Sequence, residues 1–164
     1  MGIKPLEEQF AGLSDLGIRV ERVGGLTVWE AQPVFTHQTA VFRIQTSIRT
    51  DVGRECGCVH VADCTLSFAD GSRKRPDISI FCRVPDEIDS AITLLPEAVI
   101  DVISQDYEAK DYEVGVPFYL KTGIKDVITY DPRTGEVRHY RRDALTRYTS
   151  PWEVRLECGC LCTV

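Results

Sequence analysis

Two hydrophobic periods divide this chain. The runs IRVERV (18–23) and LTVWEA (26–31) are extended in pattern, and Gly24-Gly25 between them supplies both positive-φ positions of a tight turn, so a β-hairpin closed by Pro33 is predicted. From Thr36 the spacing changes. Ala40, Val41, Ile44 and Ile48 recur three and four apart, which predicts an amphipathic helix over 36–49 with Thr36 as its N-cap. Period two then returns in CGCVHVADCTLSF (56–68), followed by an Asp70-Gly71 turn, and in DISIFCRV (77–84), entered from Pro76. The segment 97–104, EAVIDVIS, is apolar apart from Asp101, as in a strand covered on both faces. Residues 107–122 are helical in character but contain Gly115 and Pro117, and Pro117 predicts a kink or a new turn there; Gly123 is a natural C-cap. KDVITYD (125–131), EVRHYRR (136–142) and WEVRLECGC (152–160) predict three final strands, whereas the first 16 residues show no strong period and read as a loose arm or a short helix.

Hairpin, helix, three strands, helix, three strands is the order of an α/β or α+β domain with a central mixed sheet. At 164 residues without a linker or low-complexity tract, the whole span 1–164 reads as one domain. Nineteen basic against 25 acidic residues give a formal charge of −6, which argues against a general nucleic-acid coat or a membrane-surface binder while leaving room for a locally basic groove. No stretch approaches a membrane span, and MGIKPLEEQF has acids but no apolar core of a secretory leader. A cytoplasmic chain with reduced thiols is therefore expected from the odd count of seven cysteines.

Two carboxylates stand out. Asp77 opens a strand directly after Pro76, and Asp101 is the charged residue inside an otherwise apolar strand. A carboxylate in such a place needs a partner, a hydrogen bond or a metal. Paired on adjacent strands, the two would suit Mg²⁺ or Mn²⁺, hard cations that take oxygen ligands, polarise a phosphodiester and generate an attacking hydroxide. The alternative is structural: a loop cap or an arginine partner for Asp101, and an ordinary strand start for Asp77.

Pro76-Asp77, a second acid at Asp101, and a helix ending in Tyr119-Leu120-x-x-Gly123 together resemble the putative restriction endonuclease domain family of the PD-(D/E)XK nuclease superfamily. Gly25 to Pro33 followed by His37-Gln38, Asp70-Gly71 before Arg75-Pro76-Asp77, and Val127 to Pro132 extend the resemblance over roughly residues 15–142. It implies a restriction-endonuclease-like mixed sheet flanked by helices with an N-terminal hairpin, frequently a homodimer, and Mg²⁺-dependent cleavage of DNA. Asp77 matches the family's metal-binding acid and Asp101 its second acid, usually Glu. The family's lysine falls on Gly115, and its early glutamate on Leu26, which leaves Glu30 or Glu21 as the metal ligand from the hairpin; His37 matches a common family histidine. Lys110 is the candidate replacement for the lysine. On an ideal α-helix, however, five residues leave it about 140° around the axis from position 115, so it serves only if the Gly115–Pro117 region breaks the helix or Lys110 lies in its entry. Lys121 has a similar angular problem. Loss of the lysine favours a second reading, a catalytically weakened homodimeric module that keeps the fold.

The cysteines raise a separate question. Cys56 and Cys58 lie two apart on a predicted strand, and Cys158, Cys160 and Cys162 repeat the pattern, with Glu-Cys-Gly-Cys occurring at both 55–58 and 157–160. If the segments are neighbours, Cys56, Cys58, Cys158 and Cys160 offer soft ligands for Zn²⁺; Cys64 and Cys82 read as small buried hydrophobes. Ser72-Arg73-Lys74-Arg75, and Arg138 with Arg141 and Arg142, are basic patches able to face phosphate or solvent.

Overall fold

The computed structural model describes residues 6–164. Helix α1 (Leu6–Asp15) precedes the hairpin β1 (Ile18–Val23) and β2 (Leu26–Ala31), and α2 (Phe35–Ser47) follows. The short strand β3 (Arg49–Thr50) leads to β4 (Val59–Ala62), β5 (Leu66–Ser67), β6 (Arg73–Lys74), β7 (Ile78–Phe81) and β8 (Ala98–Val102). A π-helix (Lys110–Gly115) runs into α3 (Val116–Thr122); then come β9 (Asp126–Asp131), β10 (Glu136–Arg141), β11 (Ala144–Thr149), β12 (Glu153–Arg155) and β13 (Cys160–Thr163). Among the described residues, no helix is long and apolar enough to cross a membrane.

The main sheet has six strands in the order β11-β10-β9-β8-β7-β4, and it is mixed because β8 and β9 run parallel while its other neighbours are antiparallel. A crossover through the π-helix and α3 joins the parallel pair, as parallel strands require. Alternation sorts the side chains of β7, β8 and β9 onto two faces. Ile78, Ile80, Ile100, Val102 and Ile128 meet Ala40, Val41 and Ile44 of α2 and the C-terminal strands on one face. Phe81, Val99 and Val127 pack with Val116 and Tyr119 of α3 on the other. By the same alternation Asp77 and Asp101 fall on the α3 face. The hairpin extends a second sheet, β2-β1-β6-β5, that brings β1 and β6 beside this face.

The predicted hairpin, first helix and strand 125–131 form with bounds within two residues of those expected. Three stretches differ. The run 56–68 is broken, with only 59–62 and 66–67 paired, because Cys58 and Asp63 adopt positive φ. The single strand expected at 152–160 is a hairpin, β12 and β13, turning at Gly159 with φ 97°. Residues 144–149 add an edge strand whose Ala-Leu-Thr-Arg-Tyr-Thr pattern is mostly exposed and offered no buried face to detect.

Candidate active site

The end of β7 and the middle of β8 bring Asp77 and Asp101 together. Ile78 pairs with Ile100, so the next residues of the antiparallel pair are the two acids. They are locked reciprocally: Asp77 N donates to Asp101 Oδ1 at 3.1 Å, and Val102 N donates to Asp77 Oδ2 at 2.7 Å. Both carboxylates are buried. Asp77 is also met by Arg19 Nη1 at 3.2 Å and by His37 Nε2 at 3.2 Å, the first from β1 and the second from the opening turn of α2. Burial pushes the Asp77 carboxyl up, but His37 and Arg19 outweigh it and hold it below its ordinary value. Asp101 behaves oppositely. Burial raises it, Lys110 and Lys74 only partly oppose this, and the charges of Asp77 and Glu21 add to the rise.

Around this pair stand four charged groups from other elements. Glu21 of β1 accepts from Lys74 Nζ at 2.6 Å and from Arg75 N at 2.8 Å; Lys74 is fully buried and lies over the Tyr119 ring, 5.1 Å from its centroid. Burial raises the Glu21 carboxyl, but Lys74 and Lys110 more than compensate and leave it lowered. Asp111 of the π-helix pairs with Lys110 Nζ at 2.6 Å, and burial still drives its pKa to about 7.

The π-helix explains how Lys110 arrives. Its i→i+5 bonding stacks residue 110 over residue 115 instead of leaving them far apart around the axis. A Cβ at Gly115 would lie 3.3 Å from the Lys110 carbonyl and 3.6 Å from Lys74 Nζ. The angular objection that an α-helix raises against Lys110 therefore does not apply here, and a second lysine already fills the space that a side chain at 115 would enter. In the sequence Lys74 belongs to a basic run able to face phosphate or solvent; strand alternation instead turns it inward between Arg73 and Arg75. Asp111 gave no signal, since its burial depends on the π-turn. Glu30 lies on β2 opposite Arg19 in register, and its side chain is outside the described residues. Lys121 lines a separate cavity of about 700 Å³ with Lys125, Arg141 and Arg142.

Among the described residues, the buried hydroxyls of Ser79, Thr129 and Tyr119 have no hydrogen-bond partner. Thr129 pairs with Asp101 across the parallel ladder, Ser79 lies two residues along β7 from Asp77, and the acids Asp101, Glu21, Asp111 and Asp77 all raise the Tyr119 hydroxyl, after burial as the larger cause. These hydroxyls and the neighbouring carboxylates are oxygen donors of the kind that hard divalent cations take. The donor set, hard oxygens throughout, fits a divalent cation such as Mg²⁺. His37, which contacts Asp77, also lines a cavity of about 360 Å³ with Ile103, Tyr107 and Arg133.

Arginines of both basic patches are engaged in ion pairs. Arg75 pairs with Asp63, Arg138 with Glu136 while stacking on Tyr112, and Arg141 with Asp126. The cysteines also depart from expectation. Two disulfides, Cys56–Cys82 and Cys58–Cys160, replace the fully reduced set, and Cys82 is a bridge partner rather than a buried hydrophobe. Neither C-x-C pair lies on a flat strand: Cys58 has φ 46°, and Cys158 sits in the turn before β13. Cys64, Cys158 and Cys162 are free thiols.

A solved structure with the same fold is that of a putative nuclease belonging to DUF820 from Anabaena variabilis ATCC 29413, which aligns with a TM-score of 0.64 and 22% sequence identity over 83% of this chain and 80% of that one. No curated protein matches the chain. The family described as Putative restriction endonuclease matches residues 7–159, nearly the whole chain and every residue of the acid cluster, and the protein belongs to that family.

Proposed function

We propose that this protein is a Mg²⁺- or Mn²⁺-dependent endonuclease that hydrolyses DNA phosphodiester bonds at the Asp77–Asp101 cluster. The observation that carries this reading is the reciprocal lock of two buried acids on adjacent strands, ringed by Lys74, Lys110 and three unpartnered hydroxyls. Asp101, Asp77 and Asp111 would hold the cation, with Glu30 of the hairpin as a further candidate. When bound, the cation polarises the phosphodiester and lowers the pKa of its water. Lys74 and Lys110 take the place of the lysine missing at Gly115, setting positive charge beside the acids where negative charge develops on phosphate. His37 and Arg19 hold Asp77 ionised and oriented. Cation binding would favour the ionised form of Asp101, which burial keeps above its ordinary pKa. The reading includes a homodimer, supported by Phe35 and Phe42, exposed two turns apart on one face of α2.

The decisive measurement is cleavage of supercoiled DNA with Mg²⁺ or Mn²⁺ by purified wild type, Asp77→Asn and Asp101→Asn. Wild type should nick DNA only with the cation present, and each variant should lose activity by at least about 100-fold. A second reading, a quiet module that keeps the fold, is favoured by Glu21–Lys74 and Asp111–Lys110, which neutralise the acids internally. It would be established if calorimetry detected no Mn²⁺ binding and no nicking appeared.

A further inference from the structure

The two Glu-Cys-Gly-Cys segments, unrelated to the acid cluster, meet at the opposite face of the main sheet. Gly57 lets its segment approach the end of β7: its N–H donates to Cys82 O at 3.2 Å, and a Cβ there would stand 3.2 Å from the same oxygen. Gly159 turns the second segment at φ 97°, with the Arg54 side chain packed where its Cβ would be. Five sulfurs converge as a result. Cys160 Sγ lies 3.5 Å from Cys56 Sγ although each is bonded to a different partner. The sulfurs of Cys56, Cys158 and Cys160 all lie within 4.8 Å of one another. Such separations match thiolates on the corners of a tetrahedron around an ion with bonds of about 2.3 Å.

We propose that Cys56, Cys82, Cys158 and Cys160 form a tetrahedral Zn²⁺ site in the reduced protein, and that the two disulfides are its oxidised, closed state. Cys82 is chosen as the fourth ligand over Cys58 because Cys56, Cys82 and Cys158 line one open cavity of about 470 Å³, the path by which an ion enters. Cys58 instead is buried in the core beside Thr50 Oγ1. The conversion balances. A dithiol or phosphine reductant delivers four electrons, four protons enter from solvent, and both S–S bonds become four thiols. Zn²⁺ then displaces the protons of its four ligand thiols to solvent, and Cys58 remains a protonated thiol. In a reducing cytoplasm the metal form is the resident one, and in an oxidising compartment the disulfide form is. Cys158, half-buried and free, belongs to no disulfide and gains a role only in the metal form.

Co²⁺ serves as the probe. Protein reduced with a phosphine and stripped by chelator should bind one Co²⁺ per chain, with thiolate charge-transfer absorption in the near ultraviolet and tetrahedral ligand-field bands that Zn²⁺ abolishes. The oxidised protein should show neither. Cys158→Ser, which leaves both disulfides able to form and so reports on a folded chain, should weaken Co²⁺ binding at least about tenfold, as should Cys82→Ser, whereas Cys58→Ser should keep the spectrum. Absence of charge-transfer absorption from the reduced wild type, or equal binding by Cys158→Ser, overturns the proposal. DNA cleavage is not read in any arm.

Discussion

At residue scale the acid cluster is a balance of buried charge, and Asp111 shows where it is not closed. Its carboxyl is paired to Lys110, yet burial lifts its pKa to about 7. Between the ordinary value of 3.8 and that value, the folded protein holds a proton at Asp111 that the unfolded chain has released. The native state then binds more protons than the unfolded one, so unfolding free energy falls as pH rises through this window and stays low above it. Asp111→Asn cannot release a proton and lacks this slope. In urea unfolding at about pH 4.5 and about pH 7.5, the difference between variant and wild type should move in the variant's favour at the higher pH. An unchanged difference would mean that Asp111 ionises normally in the fold. A divalent cation should act in the same direction as raised pH by favouring the ionised acids, so added Mn²⁺ should shrink the effect. Of these residues, Asp101 was legible in the sequence because a charge inside an apolar strand demands a partner, and Asp77 because Pro76-Asp77 at a strand's start carries the family resemblance. Asp111 was not, since a helix in sequence carries no mark of which face a π-turn will bury.

At element scale that π-turn is the device that reshapes the site. Pro117 lies in the first turn of α3, where its fixed φ suits the helix, and the segment stays helical through the π-turn just before it. Sequence pattern located the interruption between Gly115 and Pro117 but not its form; widening the turn, rather than kinking the helix, is what stacks Lys110 over Gly115. The glycine is then a consequence of crowding. Lys74 Nζ reaches from β6 into the space next to position 115, 3.6 Å from where its Cβ would be. Two arrangements of one cation follow, and they should be exchangeable. Lys74→Met should lower cleavage by at least about 100-fold, and the double variant Lys74→Met with Gly115→Lys should regain part of it, because the vacated space admits the new ammonium. Gly115→Lys alone should be folded poorly, with two ammonium groups competing for Glu21. The readout is single-turnover cleavage alongside circular dichroism. Equal activity of Lys74→Met and the double variant would remove Lys74 from the lysine's role.

At the scale of the whole molecule, the C-terminal hairpin is the part least explained by hydrophobic pattern. The sheet, the first helix and the crossover were readable because apolar periodicity and burial coincide in them. Beyond their own hairpin, strands β12 and β13 pair with β3, a strand of two residues, and join the rest through core packing of Val154, Leu156 and Val164 and through sulfur. Cysteine spacing alone could not distinguish bridges from ligands, since pairing depends on how two distant turns meet. In the oxidised protein the bridges span sequence separations of 26 for Cys56–Cys82 and 102 for Cys58–Cys160. Chain-entropy reasoning assigns them about 3.5 and about 4.7 kcal/mol respectively. Cys58→Ser should therefore destabilise the oxidised protein more than Cys82→Ser, by about 1 kcal/mol in urea unfolding. Cys58→Ser also releases the hairpin carrying Cys160, which adds to its effect. Replacing both Cys58 and Cys82 leaves Cys56 and Cys160 facing each other at 3.5 Å. Mild oxidation should join them into one bridge across a separation of 104, restoring much of the stability lost by Cys58→Ser. Peptide mass mapping identifies the new bridge directly, and recovery of two free thiols in its place would show that the segments do not meet in solution.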